Sequence, residues 1–390
     1  MKISISLFGK FHSFYMASAF SKKGHLNKII TSYPKFIIKP KLPRNKIISL
    51  FYLEIFSRVL RVLNKYSIIN IDVNALVSKF FSKAAAKKIE LDNDVVISWS
   101  SKSLEIFEKL KKSNTIKVLE RGSSHVLFQR DILREEYKIL GLKQPNFLNN
   151  SKIINKQLEE YKLADYISVP SEFVKRTFIQ NGIDQNKLIV INYGIDHTQF
   201  FNLKKKKNLD KFIILYVGST EVRKGIHYLL ESFKEIDSNN VELHIVGEIS
   251  NFLKTIIPKN DLRIKLFGHI KQNQLYKYYN NSDCLVQPAI EEGQSIVQIQ
   301  SLFCGTPIIF TKNTGGIDFF YNENISGDEV DIRSPKQISE KINYFISNPK
   351  ILKKYSNEIF MIAKKKLTIK SYGERLIKKY SEILKNENSK

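Results

Sequence analysis

Residues 213–235 read IILYVGSTEVRKGIHYLLESFKE, and this stretch decides the fold. The apolar run Ile213–Val217 predicts a buried strand, and the amphipathic run Ile226–Glu235 predicts a helix. The turn between them, Gly218–Gly225, has glycine at both ends, which lets backbone N–H groups approach a phosphate closely. Its basic pair, Arg223-Lys224, adds positive charge at the same point, although an ordinary loop with two exposed basic residues is the alternative.

The same alternation of strands and helices recurs along the whole chain. It predicts parallel sheets with helices on both faces. With 390 residues the chain is long for one core, so we predict two Rossmann-like domains of class α/β, each with a doubly wound parallel sheet. The other candidate strands form two series, Ile3–Leu7, Lys28–Thr31, Val95–Ser98, Ile116–Leu119, Tyr166–Val169 and Leu188–Ile191, then Glu242–Val246, Ile264–Phe267, Cys284–Gln287 and Pro307–Phe310.

A polar stretch that includes Lys204–Lys207 separates the two series and predicts the domain boundary. The segment from Ile351 to Leu384 predicts two basic helices broken near Ser371, and we expect the last helix, residues 371–388, to pack back on the first domain. The predicted parts are an N-terminal domain of residues 1–196, a linker of residues 197–210 and a C-terminal domain of residues 211–370.

Composition indicates a globular protein of a reducing compartment. Hydrophobic residues make up 43% of the chain and charged residues 26%, which excludes a disordered chain. The two cysteines, Cys284 and Cys304, lie in apolar runs, so we expect no disulfide framework and a cytoplasmic location. Lys10 interrupts the apolar N-terminus too early for a signal peptide, and charged residues within Ile47–Leu63 argue against a membrane span.

The net charge of +25 attracts anionic partners, which include nucleic acid, an anionic membrane and a phosphorylated substrate. The basic residues are dispersed and no helix-turn-helix or stacking pattern is present, so we expect no nucleic-acid partner. Residues 35–88 are basic and partly amphipathic. They could lie on an anionic membrane, or form a core-facing helix with a solvated basic side.

A second turn of interest follows the predicted strand Cys284–Gln287. Ser295 can cap the next helix and leave free N–H groups at its start. Glu292 lies just before that helix, and Gln300 lies about one and a half turns inside it. The Glu292 carboxylate could complement the helix dipole, or it could accept hydrogen bonds from a sugar.

A third turn, Glu120–His125, follows the strand Ile116–Leu119. His125 stands at the mouth of a helix, where we expect it to face the cleft or to serve as a capping residue. Arg121 could pair with Glu120 or reach an acceptor phosphate, and Ser123 is a cap candidate.

Several of these segments together resemble a known enzyme family. Glu292-Gly293, then Gln300 and Cys304–Pro307, are similar to the E-G-F-G-x-x-x-x-E-A-x-A-x-G-T-P signature of the retaining GT-B glycosyltransferases of family 4. The Gly218–Gly225 turn resembles the G-x-x-x-x-x-K-G phosphate turn of that family. Two further similar segments are Tyr193–Asp196 and Tyr276–Asp283. The resemblance implies a GT-B fold, in which the two domains face each other across a cleft.

The resemblance also implies roles for residues that bind the donor. Lys224 matches the lysine that contacts the donor diphosphate, and Glu292 matches the glutamate that contacts the transferred sugar. Ile270 matches the segment that meets the base. Further donor-binding positions implied by the match are Gly218, Ser219, Arg223, Gly293, Gln294, Ser295, Ile296 and Gln300.

On the acceptor side, His125 matches a histidine that lies beside the donor sugar in the family, which makes it a catalytic candidate with Glu292 and Lys224. The first loop of the family lies near the acceptor and the diphosphate. Gly9 matches this loop, and Lys10 and His12 are further candidates there. Arg121 and Ser123 complete the acceptor-side candidates.

Three departures from the family pattern concern the donor pocket. Gln300 replaces the second glutamate, which holds the ribose, and its amide can still form hydrogen bonds. Ser219 replaces the usual arginine, whose charge Arg223 could supply from a neighbouring position. Gln294-Ser295 replaces Phe-Gly, so we expect a more polar sugar pocket.

We therefore expect a retaining glycosyltransferase without metal or other cofactor, since Lys224, Arg223 and the amides near Ser295 could stabilise the leaving phosphate. Asp92-Asn93-Asp94 has the pattern of a turn and not of a metal motif. The expected partners are a nucleotide-sugar donor, a glycan or lipid-linked cell-envelope acceptor and an anionic membrane surface, with a location in the cytoplasm or at the inner face of the plasma membrane. Alternatives are an epimerase or phosphorylase-like enzyme, an inactive transferase and a basic nucleic-acid-binding protein.

Overall fold

The computed structural model contains two parallel β-sheets, one in each half of the chain. It describes residues 1–203, 211–236, 238, 240–321, 323 and 327–388. The predicted linker run Lys204–Lys207 lies outside the described residues.

The N-terminal domain has a sheet of seven parallel strands in the order β3-β2-β1-β4-β5-β6-β7. Its strands are β1 (Ile3–Leu7), β2 (Leu26–Thr31), β3 (Ile47–Ser49), β4 (Val95–Trp99), β5 (Ile116–Glu120), β6 (Tyr166–Val169) and β7 (Leu188–Val190). The helices between them are α1 (Ser13–Lys22), α2 (Phe51–Lys65), α3 (Val73–Lys88), α4 (Leu104–Leu110), α5 (Val126–Ile139), α6 (Ser151–Leu163) and α7 (Glu172–Gln180).

The C-terminal domain repeats this plan with six parallel strands in the order β10-β9-β8-β11-β12-β13. Its strands are β8 (Phe212–Val217), β9 (Val241–Val246), β10 (Ile264–Gly268), β11 (Cys284–Gln287), β12 (Ile308–Thr311) and β13 (Asp328–Val330). The helices are α8 (Ile226–Lys234), α9 (Asn251–Ile256), α10 (Leu275–Asn281), α11 (Ile296–Phe303), α12 (Pro335–Ser347), α13 (Pro349–Lys366) and α14 (Ile369–Asn388).

The central strands are apolar because helices cover both faces of each sheet. All five residues of β1 and of β4 are buried, as are all four of β11. The prediction of two Rossmann-like parallel sheets is confirmed. Two edge strands, β3 and β13, were not predicted, and each is only three residues long.

The last helix crosses from the C-terminal domain to the N-terminal domain. The chain breaks between α13 and α14 at Leu367 and Thr368, a few residues before the predicted break at Ser371. Tyr380 of α14 is buried and packs its ring 5.4 Å from that of Phe20 in α1. Arg375 donates a hydrogen bond to the carbonyl oxygen of Asn192 (2.9 Å), so α14 is bonded to the end of the N-terminal domain.

Candidate functional site

Both sheets reverse their strand order at one point, between β1 and β4 in the first and between β8 and β11 in the second. Ligands of open parallel sheets bind beyond the carboxyl ends of the strands at such points. The turns after β8 and β11 meet there, because the Ile290 N–H donates to the Arg223 carbonyl oxygen (3.0 Å). The two turns singled out in the C-terminal half therefore form one surface.

Lys224 and Glu292 are in direct contact on this surface. Lys224 ends a short 3-10 turn, Val222–Lys224, and the left-handed backbone of Gly225 then starts helix α8. The Lys224 ammonium donates to the Glu292 carboxylate, and both side chains are 17% exposed. A ligand in the cleft could therefore touch both groups at once.

The local electrostatics lower the pKa of Lys224. Burial of the ammonium is the main cause, repulsion by Arg223 adds to it, and the pKa falls to about 7. The lysine therefore changes charge near neutral pH, and a bound anion would favour its protonated form.

Arg223 and Glu291 form a second ion pair beside the first. The Arg223 guanidinium lies 3.1 Å from Glu291 Oε2 and 3.5 Å from Glu292 Oε2. We expected Arg223 to supply charge to a diphosphate, but in this structure it contacts two carboxylates. Burial alone would raise the pKa of Glu291, yet Arg223 and hydrogen bonds from Gln129 and Ser124 outweigh burial and hold this pKa below its usual range.

Glu291 also joins the two domains. Its carboxylate is fully buried and accepts hydrogen bonds from the backbone N–H of Ser124 (2.9 Å), the hydroxyl of Ser124 (2.8 Å) and the side chain of Gln129 (2.8 Å). Ser124 and Gln129 belong to the N-terminal domain, at the start of α5. The carboxylate thus holds the start of α5 against the turn that contains Lys224.

The signature loop Gly293-Gln294 lies against the N-terminal domain. A Cβ on Gly293 would strike the Gly122 carbonyl oxygen, so only glycine allows this close approach. The Gly293 carbonyl oxygen accepts a hydrogen bond from the Ser171 hydroxyl (2.6 Å). We expected Gln294 to make the sugar pocket more polar. Instead its side chain is buried, because the residue is 3% exposed and its amide oxygen accepts a hydrogen bond from the Tyr193 N–H (2.6 Å).

Helix α11 begins at Ile296, directly after Gly293-Gln294-Ser295. Ser295 occupies the N-cap position, but its side chain makes no cap hydrogen bond. The Gln298 N–H donates to the Ser295 carbonyl oxygen (3.2 Å), whereas the amides of Ile296 and Val297 lie at the helix start, where the ladder offers no acceptor and an anion could bind. Gln300, expected at the ribose, is 5% exposed, and its amide oxygen accepts from the Tyr279 hydroxyl (2.9 Å), so this oxygen faces inward.

The remaining donor candidates lie along the carboxyl ends of β8 and β10. Gly218 directly follows β8, and its N–H donates to the Val246 carbonyl oxygen (3.0 Å). Ser219 is half-buried, and its carbonyl oxygen accepts from the Tyr216 hydroxyl (2.6 Å). Ile270 is half-buried against the apolar core just after β10.

His125 and Arg121 are both buried, and for His125 the capping alternative is confirmed, because its Nδ1 atom accepts a hydrogen bond from the Leu127 N–H (3.3 Å) at the N-cap of α5. The His125 ring is 1% exposed and packs 5.0 Å from the rings of Tyr161 and Phe178, so it does not face the cleft. Burial, and then Arg121, lower the pKa of His125 to about 4, which leaves a neutral imidazole at pH 7. Arg121 does not point to an acceptor, because its guanidinium donates to the Ser124 carbonyl oxygen (2.8 Å) and shapes the loop.

The other acceptor-side candidates stay near the mouth of the cleft. Ser123 is half-buried in the loop that meets Gly293, and Lys10 is exposed after β1. Gly9 has a φ of 103°, and its N–H donates to the Ser32 hydroxyl (2.9 Å). His12 lies 3.1 Å from the Glu120 carboxylate, and its ring is 4.2 Å from that of Tyr193.

Two acidic residues near the site were not among the predicted site residues. Glu291 directly precedes Glu292 in the sequence. Two adjacent acidic residues in one turn were the only sequence signal for it. Glu120 ends β5, and its Oε2 atom is buried without a hydrogen-bond partner among the described residues. A carboxylate at the carboxyl end of an apolar strand was the available signal.

Other features of the molecule lie apart from this site. A cavity of about 540 Å³ beside the α13–α14 junction is lined by residues such as Lys22, Asp196 and Lys365, and it does not include Lys224 or Glu292. Within residues 1–203, 211–236, 238, 240–321, 323 and 327–388, no three His, Cys, Asp or Glu side chains are grouped as metal ligands. Over the same residues, no helix has both the length and the apolar character to cross a membrane.

Comparison with known proteins finds a family match for the part of the chain that contains Lys224 and Glu292. Residues 198–361 match the family model described as Glycosyl transferases group 1. This segment is similar to the glycosyl transferases group 1 family. It contains the Gly218–Gly225 turn, the Gly293-Gln294 loop and helix α11.

Curated relatives of the chain include two glycosyltransferases that are named for bacterial surface polysaccharides. The capsular polysaccharide biosynthesis glycosyltransferase CapM of Staphylococcus aureus is 26% identical over 58% of this chain and 64% of its own length. The lipopolysaccharide 1,2-N-acetylglucosaminetransferase of Salmonella typhimurium is 24% identical over 56% of this chain and 62% of its own length. The chain spans between half and two thirds of the length of its first relatives.

Solved structures match the whole chain and show that its fold is GT-B, with two domains facing across a cleft. Sucrose-phosphate synthase from Thermosynechococcus elongatus superposes with a TM-score of 0.66 at 14% identity, over 99% of this chain and 100% of the other. Anabaena Alr3699/HepE in complex with UDP-glucose gives a TM-score of 0.64 at 13% identity, over 98% and 100%. At these identities the likeness concerns the fold alone.

Proposed function

We propose that this chain is a glycosyltransferase that moves a sugar from a nucleotide-diphosphate sugar to an acceptor hydroxyl. The observation that carries the proposal is the contact between Lys224 and Glu292, which brings a cation and a carboxylate together on one wall of the cleft. Gly293, beside this pair, touches the Gly122 loop of the opposite domain. A donor and an acceptor could therefore meet at this junction.

In the proposed reaction, the bond between the anomeric carbon and the diphosphate oxygen breaks as the acceptor oxygen bonds to the same carbon. The acceptor proton passes to the departing phosphate oxygen. Negative charge grows on that phosphate, where protonated Lys224 and the first amides of α11 would stabilise it. Positive charge grows on the sugar, where the Glu292 carboxylate would orient and stabilise it.

We further propose that the reaction retains the anomeric configuration by attack from the front face, and that it needs no metal. Retention rests on the family resemblance of the signature loop. The proposed independence from metal rests on Lys224, whose ammonium would take the place of a metal cation beside the leaving phosphate. The neutral His125 then supports the loop beside the sugar and carries no charge of its own.

We propose a glycan or a lipid-linked cell-envelope molecule as the acceptor, taken up at the inner face of the plasma membrane from the cytoplasm. The names of CapM and of the lipopolysaccharide transferase support this class of acceptor. The net charge of +25 suits an acceptor that carries phosphate or lies among anionic lipids.

Thermal-shift titration of the purified protein with UDP-, GDP- and ADP-sugars, with and without EDTA, tests the proposal. We expect sugars of one nucleotide base to raise the melting temperature by mass action, and to raise it by the same amount in the presence of EDTA. Slow release of the free nucleotide from that donor should follow. No shift with any donor would contradict a transferase. An epimerised sugar or a sugar phosphate as product would favour the alternative enzymes.

A further inference from the structure

An apolar surface runs along helix α2 on the outside of the N-terminal domain. Only Leu53 and Ser57 of this helix are buried. Apolar side chains at spacings of three and four residues share one side of the helix. We call the following exposed residues the α2 apolar surface: Phe51 (46%), Tyr52 (55%), Ile55 (49%), Phe56 (36%), Val59 (50%), Val62 (53%) and Tyr66 (68%).

The neighbouring helix extends this surface. Phe80 of α3 is 47% exposed, and its ring lies 5.9 Å from that of Phe56 in an edge-to-face contact. Soluble proteins usually scatter their exposed apolar side chains, and a continuous apolar area of this kind marks an interaction site.

Basic side chains line one edge of the α2 apolar surface. Arg58, Arg61 and Lys65 follow one another at helical spacing beside the stripe, and the side chain of Arg58 is 73% exposed. Residues 35–88 contain twelve Lys and Arg but only two Asp and Glu. An apolar face with a basic edge has the chemistry of a helix that lies in the interface of an anionic membrane.

We propose that the α2 apolar surface and its basic edge bind an anionic lipid bilayer, with α2 lying in the plane of the interface. The charge favours lipid over a second copy of the chain, because two such surfaces would bring like charges together. The aromatic residues at both ends of the surface, Phe51 and Tyr66, suit the headgroup level, where an apolar ring and a polar neighbour are both accommodated.

The fold connects this membrane surface to the acceptor side of the cleft. Helix α2 starts directly after β3, at the same carboxyl edge of the sheet as the Gly9 loop. The Gly9 N–H donates to the Ser32 hydroxyl (2.9 Å), which in turn donates to the Glu54 carboxylate of α2 (3.3 Å). If the proposed function holds, bilayer binding through α2 presents the acceptor loop to a lipid-linked substrate.

Sedimentation with vesicles tests the surface directly. The variants are the triple Ile55→Ser/Val59→Ser/Val62→Ser and the double Arg58→Gln/Lys65→Gln. We expect the full chain to bind phosphatidylglycerol-containing vesicles and not pure phosphatidylcholine, and each variant to bind at least about tenfold more weakly. The matched control, Leu262→Ser/Met361→Ser, removes side chains of the C-terminal domain that are 82% and 63% exposed, and it should bind like the parent.

Three outcomes would overturn the proposal. The first is failure of the parent to bind anionic vesicles, and the second is unchanged vesicle binding by the triple variant. The third is a dimer of the parent without lipid that is absent in the triple variant, which would identify a second copy of the chain as the occupant of the surface. Nucleotide-induced thermal shifts in solution separate this result from the proposed function. The triple variant should keep the nucleotide-induced thermal shifts of the parent. If neither the parent nor any variant showed such a shift, the proposed transferase function would be contradicted, but the proposed membrane surface would not.

Discussion

At the scale of single residues, the ion pair of Lys224 and Glu292 defines the site. We predict that Glu292→Gln lowers turnover at least about a hundredfold while nucleotide still binds, because the amide keeps the shape but loses the charge that would face the developing cation. Donor turnover and nucleotide affinity measured on the same preparation give the answer. Glu231→Gln, an exposed change on α8, is the control, and unchanged turnover in the Glu292 variant would refute the role.

The lowered pKa of Lys224 also leads us to predict that nucleotide binding depends on pH. Because its pKa in the free protein is about 7 and a bound diphosphate favours the charged form, binding takes up a proton above that pH. We expect affinity to fall about tenfold between pH 7 and pH 9, by calorimetry. Lys224→Arg, which stays charged, should flatten the profile, and equal slopes for both proteins would exclude Lys224 as the source.

The sequence could identify residues of the site more readily than their surroundings. Lys224 and Glu292 lie in turns that follow neighbouring parallel strands, so topology alone brings them to one edge. His125 and Arg121 lie in a similar turn, yet both are buried by α6 and α7, which no local pattern reveals. The Tyr279 contact of Gln300 likewise depends on how α10 packs against α11.

At the scale of elements, the turn before α8 depends on one glycine. Gly225 has a φ of 66°, and a Cβ there would strike the Pro288 carbonyl oxygen of the facing turn. We predict that Gly225→Ala lowers the free energy of unfolding by about 2–4 kcal/mol and weakens nucleotide binding, since backbone strain and a backbone clash add together. Urea unfolding and thermal shift measure both effects.

The variant Gly141→Ala separates the cost of backbone strain from the cost of the backbone clash. Gly141 has a φ of 63°, but a Cβ added there would meet no atom within 4 Å, so this variant carries the strain without the clash. We expect it to cost about 1 kcal/mol and to leave nucleotide binding unchanged. Equal losses in the two variants would show that contact with Pro288 does not matter.

Some strand boundaries were predictable from the apolar runs alone. The strand Cys284–Gln287 and the strand Tyr166–Val169 were predicted with the boundaries that they have. Strands β3 and β13 were not, because a three-residue strand at a sheet edge has too few residues to show a period. The break between α13 and α14 follows from the pairing of Ile195 with Thr368, a contact between distant parts of the chain.

At the scale of the whole molecule, a buried acid holds the two domains together through α5. Glu136 is fully buried, and its carboxylate accepts a hydrogen bond from Arg333 (2.6 Å) and lies 2.8 Å from the His227 ring. Burial would raise the pKa of Glu136, but hydrogen bonds with His227 and Arg333 outweigh it and leave this pKa lowered. The stability that it contributes is therefore present above the ordinary glutamate pKa and is lost as the pH falls through the lowered value.

We predict that Glu136→Gln costs about 3 kcal/mol at neutral pH, because Arg333 loses its buried partner. The adjacent Glu135 pairs with the same arginine at 2.9 Å but is 59% exposed, so Glu135→Gln should cost less than about 0.5 kcal/mol. Urea midpoints of the two variants at pH 7 decide the matter. Similar midpoints would mean that the interface does not depend on the buried carboxylate.

Length and strand pattern predicted two domains, but they could not predict this interface. By sequence α5 belongs to the N-terminal domain, yet its Leu133 packs in the same apolar cluster as Ile214 and Leu229 of the C-terminal domain. The helical pattern of α5 shows that one side is apolar without showing which domain covers that side.

Because α14 crosses to the N-terminal domain, neither half of this chain contains all of its own core. Tyr372, Leu376 and Tyr380 are encoded after the C-terminal domain, but they share one apolar cluster with β1 and α1 at the opposite end of the gene product. A fragment cut at the linker would lack part of its own interior. Recombination that swaps the acceptor half between relatives must therefore exchange the tail as well, which requires two breakpoints instead of one.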